Sequence, residues 1–262
     1  MFALLSPAKK LDLSPTPDEL AVSQPALLDQ TELLLRTVRK LKIGDLTRLM
    51  GISEKLALLN VERFLRLAPP FDRQNARPAA LLFAGDTYQG LEARSFDRAD
   101  WAFAADHLRI LSGLYGLLRP SDLIKEYRLE MGTKLKTRRG ASLYEFWGSR
   151  LTQHLKQELE THESRAVVNL ASQEYISAVQ PRQLGARFVD CVFRELRNGQ
   201  AKVISFLAKR ARGMMAHYIV KRRIDRVEGL ESFDRAGYRF DPQASSADRL
   251  VFTRPEGAEP ST

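Results

Sequence analysis

Three short apolar runs that stop abruptly at small or polar residues constrain this chain most. They are residues 2–5 before Ser6-Pro7, residues 79–84 before Gly85-Asp86, and residues 167–170 before Ala171-Ser172. A run that is apolar at consecutive positions has to be buried on both faces, which is the condition of a strand inside a helix-covered sheet. Between these runs, apolar residues recur at helical spacing over residues 27–42, 46–67, 101–111 and 143–159. Residues 187–196 and 201–206 flank Asn198-Gly199, a dipeptide that tolerates the positive φ of a tight hairpin, and residues 238–240 and 250–252 add a final strand pair. The pattern predicts an α/β fold: a single domain over residues 1–254 with a mixed, largely covered β-sheet and surrounding helices. Residues 14–25, with Pro15, Pro17 and Pro25, read as an extended surface connection, and residues 255–262 as a flexible tail.

Residues 44–64 read as two short helices folded back on each other, an embedded helix-hairpin-helix element. Leu46, Leu49 and Met50 recur at helical spacing, and Gly51 is the residue that ends such a helix in a left-handed conformation. Ser53 caps the next helix, Glu54 suits its N-terminal dipole, and Leu56, Leu59 and Phe64 continue an apolar pattern interrupted by Lys55, Asn60 and Arg63. Backbone N–H groups at such a turn bind phosphate oxygens without reading base identity. Gly51, Ile52, Ser53, Lys55, Asn60 and Arg63 are therefore candidate DNA contacts.

Charge points the same way. The 262 residues carry a formal net charge of +9, a balance that faces polyanions. Residues 125–139 hold six basic side chains against two acidic ones, and residues 202–226 hold eight against one. The second segment is expected to be an amphipathic helix with a basic outer face, on which Lys209, Arg210 and Arg212 extend the positive surface. Cys191 is the only cysteine, which excludes an internal disulfide and any multi-thiolate metal site within one chain. His107, His154, His162 and His217 do not pair at a spacing that supports a metal site, so no metal and no cofactor is expected. The first residues lack a signal peptide's basic start, and no apolar stretch approaches membrane-spanning length, so a cytoplasmic protein without a membrane partner is expected.

The ends of the expected strands raise a different possibility. Ser6, Lys9, Asp86, Asn169, Ser172 and Glu174 lie just beyond apolar runs, where polar groups of open α/β sheets converge on a crevice; Arg128 and Glu130 can join them. Such a crevice would serve an enzyme or a small-ligand protein. No nucleophile-and-base order and no phosphate-binding glycine loop accompanies it, so no reaction follows. RNA binding rests on charge alone.

The stretch from His107 to Gly132, HLRILSGLYGLLRPSDLIKEYRLEMG, resembles the central signature of the bacterial YaaA family of peroxide-stress-associated proteins. The resemblance extends to LSPAK at residues 5–9, GDTYQGL at 85–91, LYEFWG at 143–148, NLASQEY at 169–175, and ISF with AKRARG over 204–213. Glu126 stands where the family more often has proline, and Ser177 where it commonly has lysine. The resemblance implies a single-domain α/β protein with a positively charged cleft, a helix-hairpin-helix at residues 49–60, and binding to duplex and locally opened DNA. It also implies a role in limiting iron-dependent oxidative damage under peroxide stress. A non-enzymatic, largely sequence-independent DNA-binding monomer is the reading carried forward.

Overall fold

A computed structural model describes residues 1–17 and 19–258 of the chain. Strand β1 (Phe2–Leu5) and the short β2 (Lys10–Leu11) lead into helices α1 (Leu28–Val38), α2 (Ile43–Met50) and α3 (Glu54–Arg66). Next come β3 (Arg77–Pro78), the one-turn α4 (Ala79–Leu82), β4 (Phe83–Ala84), α5 (Asp86–Leu91) and α6 (Arg98–His107). Strands β5 (Leu108–Ser112), β6 (Gly116–Leu118) and β7 (Leu123–Ile124) precede α7 (Leu143–Trp147) and α8 (Arg150–Leu159). The last third holds β8 (Ala166–Asn169), α9 (Gln173–Ile176), α10 (Pro181–Leu184), β9 (Arg187–Arg197), β10 (Gln200–Lys202), α11 (Ser205–Lys221), β11 (Arg239–Phe240) and β12 (Arg249–Arg254).

The main sheet has the order β11-β12-β9-β8-β1-β5-β6, with β10 also paired to β9. Five strands, β12, β9, β8, β1 and β5, run parallel, while β6, β10 and β11 pair antiparallel, so the sheet is mixed. All four residues of β1 and all four of β8 are buried, as their unbroken apolar sequence requires. Each large apolar side chain removed from water there contributes about 1.5–3 kcal/mol. Asn198 and Gly199, at φ of 50° and 75°, turn β9 into β10. No helix among the described residues is long and apolar enough to cross a membrane.

Three segments depart from the sequence pattern. Residues 79–84, expected as one strand, divide into α4 and the two-residue β4, because alanines and leucines support a helical turn as readily as a strand. Residues 101–111, expected as helix, switch to strand at Leu108, where β5 pairs with β1. The helical stretch at 143–159 is interrupted at Gly148, whose φ of 52° ends α7 before α8 begins. The expected flexible tail falls partly on residues 259–262, which lie outside the described residues; residues 255–258 form a turn after β12, beside Gly237.

Helix α11 is enclosed more completely than an amphipathic stripe requires. Ala208, Ala211, Gly213, Met215, Ala216, Tyr218, Ile219 and Val220 are buried, since the helix packs on α5 and also against β9, β1 and α6. Its exposed cations are confined to Lys209 near the start and Lys221 at the end.

Candidate functional site

Strands β1 and β8 run parallel with Leu4 opposite Asn169, so the chain leaves both at the same end of the sheet. The two loops that follow are tied together: Ser6 Oγ accepts from the Ser172 N–H at 2.8 Å and donates to Ser172 Oγ at 3.3 Å. Tyr88 OH on α5 donates to the Ser6 carbonyl at 2.9 Å. With the segment through Arg128 to Glu130 and the first half of α11, these loops enclose a cleft of about 300 Å3. That volume is at the small end of the range for ligand pockets, about 300–1,000 Å3.

The cleft gathers most of the strand-end residues expected from sequence. Ser6, Lys9, Asp86, Arg128, Glu130, Ser172 and Glu174 line it, joined by Lys10, Thr87, Tyr127 and Tyr175. Glu130 accepts from Lys9 at 3.2 Å and from Arg128 at 3.0 Å, so one carboxylate holds two cations. Glu174 Oε1 accepts from the Gly132 N–H at 3.0 Å, which fixes the loop after the Arg128 segment. Burial pushes the hydroxyls of Tyr88, Tyr127 and Tyr175 up from their ordinary value, which keeps them neutral hydrogen-bonding groups. The tyrosines carried no sequence signal beyond their apolar neighbours. Asn169 is different from the rest: its amide donates to Asp190 at 2.7 Å and accepts from the Ala171 N–H at 2.9 Å, so it braces the loop beneath the cleft.

Lys209 and Arg212 also line this cleft. They are the residues expected to extend the positive surface, and α11 carries them, three residues apart on one helical face, to the strand ends. Arg212 is half-buried, its Nε is buried without a partner, and no carboxylate among the described residues forms an ion pair with it. Desolvation lowers its guanidinium from the ordinary value, while Cys191 and Asp190 oppose that shift. Arg210, half-buried, also has a buried Nε without a partner, but it lies outside the lining. Overall the cleft combines five cations (Lys9, Lys10, Arg128, Lys209, Arg212) with three carboxylates (Asp86, Glu130, Glu174).

Helices α2 and α3 follow one another through the short turn Gly51-Ile52-Ser53. Gly51 ends α2 at φ 61°, exposed, and Ser53 Oγ caps α3 by accepting from the Leu56 N–H. Lys55 is exposed. Three expected contacts are placed otherwise. Ile52 and Asn60 are buried, and Arg63 forms an ion pair with Glu126. The cause is the phase of α3: its buried stripe is Ala57, Asn60 and Phe64, which leaves Leu56, Leu58, Leu59 and Leu65 exposed in place of the polar residues.

Fold and cleft together define a mixed α/β protein with a cationic crevice at the carboxyl ends of its parallel strands. The family described as peroxide stress protein YaaA matches residues 1–244, and the chain belongs to it.

Proposed function

We propose that this chain serves the peroxide stress response by holding DNA through its phosphate backbone with little base preference, and that the strand-end cleft is the centre of that contact. The observation that carries the reading is Arg212. A guanidinium drawn out of water with Nε unsatisfied, in ion pair with no carboxylate among the described residues and only opposed at a distance by Asp190, can take a phosphate, which supplies two acceptor oxygens in the matching geometry. Lys209 and Lys10 stand beside it, while Lys9 and Arg128 share Glu130. A cleft of this volume takes the phosphate and sugar of one strand more readily than a whole duplex, which favours locally opened DNA. A second contact is offered at the start of α3, where Ser53 and Lys55 are exposed beside Gly51, whose own N–H is held by the Thr47 carbonyl. In this reading the protein is a cytoplasmic monomer that limits oxidative damage by occupying DNA, and it makes and breaks no bond.

The test is a salt series with purified protein on duplex and bubble DNA. Affinity should fall steeply with salt, and Arg212→Met with Lys209→Ala should lower the slope by about 2 in Z, worth about 0.9 each on duplex. Absence of binding at low salt, or binding indifferent to both substitutions, overturns the reading.

One observation favours a second reading. The hydroxyl pair Ser6–Ser172 sits in the same crevice as Arg212 and the Glu130 carboxylate, an arrangement suited to a small anionic ligand or to catalysis upon one. Calorimetric titration with nucleoside monophosphates separates the two: tight stoichiometric binding to the isolated nucleotide supports the small-ligand reading over DNA.

A further inference from the structure

At the opposite end of the sheet from the cleft, the amino ends of β1, β5 and β8 bring together three residues that are far apart in sequence or unremarkable within it. His107 closes α6 just before β5, His162 lies shortly before β8, and Asp106 precedes His107. Parallel pairing of β1 with both β5 and β8 fixes their approach, with Ala3 opposite Leu108 and Phe2 opposite Val167. The two imidazoles meet edge to face with centroids 4.9 Å apart. Sequence spacing alone gave no sign of this pair.

Both rings are anchored by the same atom type and aimed the same way. His107 Nδ1 lies 2.9 Å from the Met1 carbonyl oxygen, and His162 Nδ1 lies 3.0 Å from the Met1 nitrogen. The two Nε2 atoms then face the Asp106 carboxylate, at 3.3 Å from His107 to Oδ2 and 3.8 Å from His162 to Oδ1. Phe103 stacks on His107 at 3.9 Å and Phe2 packs edge-on against His162 at 4.6 Å, so neither ring is free to turn away.

The tautomer of His107 follows from this geometry. A carbonyl oxygen only accepts, so Nδ1 carries the proton, and Nε2 either bears a second proton or points its lone pair at a carboxylate oxygen. The second arrangement opposes two acceptors unless a cation lies between them. Histidines that donate the other ring N–H to a carbonyl in this way are the common form of metal ligand. His162 differs: the Met1 ammonium donates to its Nδ1, so its Nε2 carries the proton, and taking up a cation there releases one proton, the ammonium passing a proton to Nδ1 as Nε2 loses its own.

We propose that Asp106, His107 and His162 form a site for a divalent first-row transition cation, with two Nε2 atoms and one carboxylate oxygen as ligands. The three ligand atoms lie within 4.8 Å of one another. Bonds of about 2.0–2.1 Å to a tetrahedral ion place ligands about 3.4 Å apart, so the His107–Asp106 edge already fits and the others close by a small movement. The exposed Asp106, 64% accessible, supplies that movement and leaves the remaining coordination positions open to water. A nitrogen-rich set with one carboxylate selects zinc, iron(II) or cobalt(II) over calcium and magnesium, which take oxygen ligands. Asp225 adds negative potential at His107 and Glu158 pairs with Arg109, while the Met1 ammonium beside both rings opposes a cation until it gives up its proton.

The test uses the full-length protein stripped with a chelator and titrated with Co2+ and Zn2+. One ion per chain is expected, with visible ligand-field bands for Co2+, and Zn2+ should shift the imidazole resonances of His107 and His162 while leaving His154 and His217 unmoved. Asp106→Asn changes an exposed side chain and should leave the circular dichroism spectrum intact while weakening binding by about tenfold or more. Absence of stoichiometric binding, binding unchanged by Asp106→Asn, or shifts centred on His154 or His217 would show that the cluster is a His107–Asp106 ion pair and no metal site. Should Asp106→Asn fail to fold, the resonance shifts in the unaltered protein decide alone.

Discussion

Gly90 and Gly213 mark the point where α5 and α11 cross backbone to backbone. A Cβ on Gly90 would collide with the Arg210 carbonyl and lie 2.8 Å from the Met214 nitrogen, and one on Gly213 would collide with the Thr87 carbonyl and lie 2.8 Å from the Leu91 nitrogen. This contact sets how far α11 reaches toward the cleft, because Asp86 and Thr87 lie on one helix and Lys209 and Arg212 on the other. Glycine to alanine in a helix interior ordinarily stabilises by about 1 kcal/mol. Gly213→Ala should do the reverse, costing about 3 kcal/mol in urea denaturation, since the obstacle is backbone that cannot rotate aside. A stabilised Gly213→Ala protein would show that the helices do not approach so closely.

How much of this was legible depends on whether the deciding contact is local. The runs at residues 2–5 and 167–170 announced β1 and β8 because a strand buried on both faces leaves its mark in consecutive residues. The strand-end polar residues could be named for the same reason: they follow those runs directly. The phase of α3 could not be read, because Leu56 and Leu59 satisfy a helical period as well as Ala57, Asn60 and Phe64 do, and only the neighbouring helices decide which stripe is covered. Nor could Lys209 and Arg212 be assigned to the strand ends, since their position depends on the crossing of α5 with α11. The meeting of His107 with His162 likewise depends on strand order, which no local pattern encodes.

Arg109 and Glu158 form a two-pronged ion pair, with Nε to Oε2 at 2.8 Å and Nη2 to Oε1 at 3.0 Å. Arg109 is almost wholly enclosed and also stacks over Phe2, 4.4 Å from the ring centre. Burial works against the charge on Glu158, yet Arg109 and Arg119 together hold its carboxyl below the usual range. Glu158→Gln should therefore cost about 3–5 kcal/mol, because it leaves the Arg109 guanidinium buried without a counter-charge. Chemical denaturation of the variant checks this, and a loss under 1 kcal/mol would contradict it.

Asp122 gives the protein a pH dependence of the opposite sense. Burial pushes its carboxyl up to about 6 from 3.8, only partly offset by the Ser23 hydroxyl at 2.7 Å and the Arg119 N–H at 2.8 Å. The folded state thus holds a proton that the unfolded chain releases, and stability falls as pH rises from about 4 to about 6. The full change is roughly 3 kcal/mol. Denaturation midpoints for the native protein and Asp122→Asn should converge at pH 4 relative to their separation at pH 7. Parallel curves across that range would refute the assignment.

Asn60 is part of the core beneath the hairpin. Its amide donates to the Leu56 carbonyl at 2.8 Å, while Oδ1 is buried without a partner. Asn60→Ala removes one modest hydrogen bond together with one unsatisfied acceptor, so the two effects offset to within about 1 kcal/mol. DNA affinity should be unchanged in the same variant. A tenfold loss of affinity with stability intact would return Asn60 to the contact surface.

Glu130 restrains two of the five cations of the cleft, Lys9 and Arg128. If phosphate is the partner of Arg212, this carboxylate competes with it for Lys9 and Arg128, and removing its charge frees both. Glu130→Gln should then tighten DNA binding, by about tenfold for each 1.4 kcal/mol of repulsion removed, and steepen the salt dependence as Lys9 and Arg128 take phosphates of their own. Binding isotherms at two salt concentrations measure both quantities. A weaker, salt-insensitive interaction in Glu130→Gln would mean that the carboxylate itself takes part at the site, as the small-ligand reading requires.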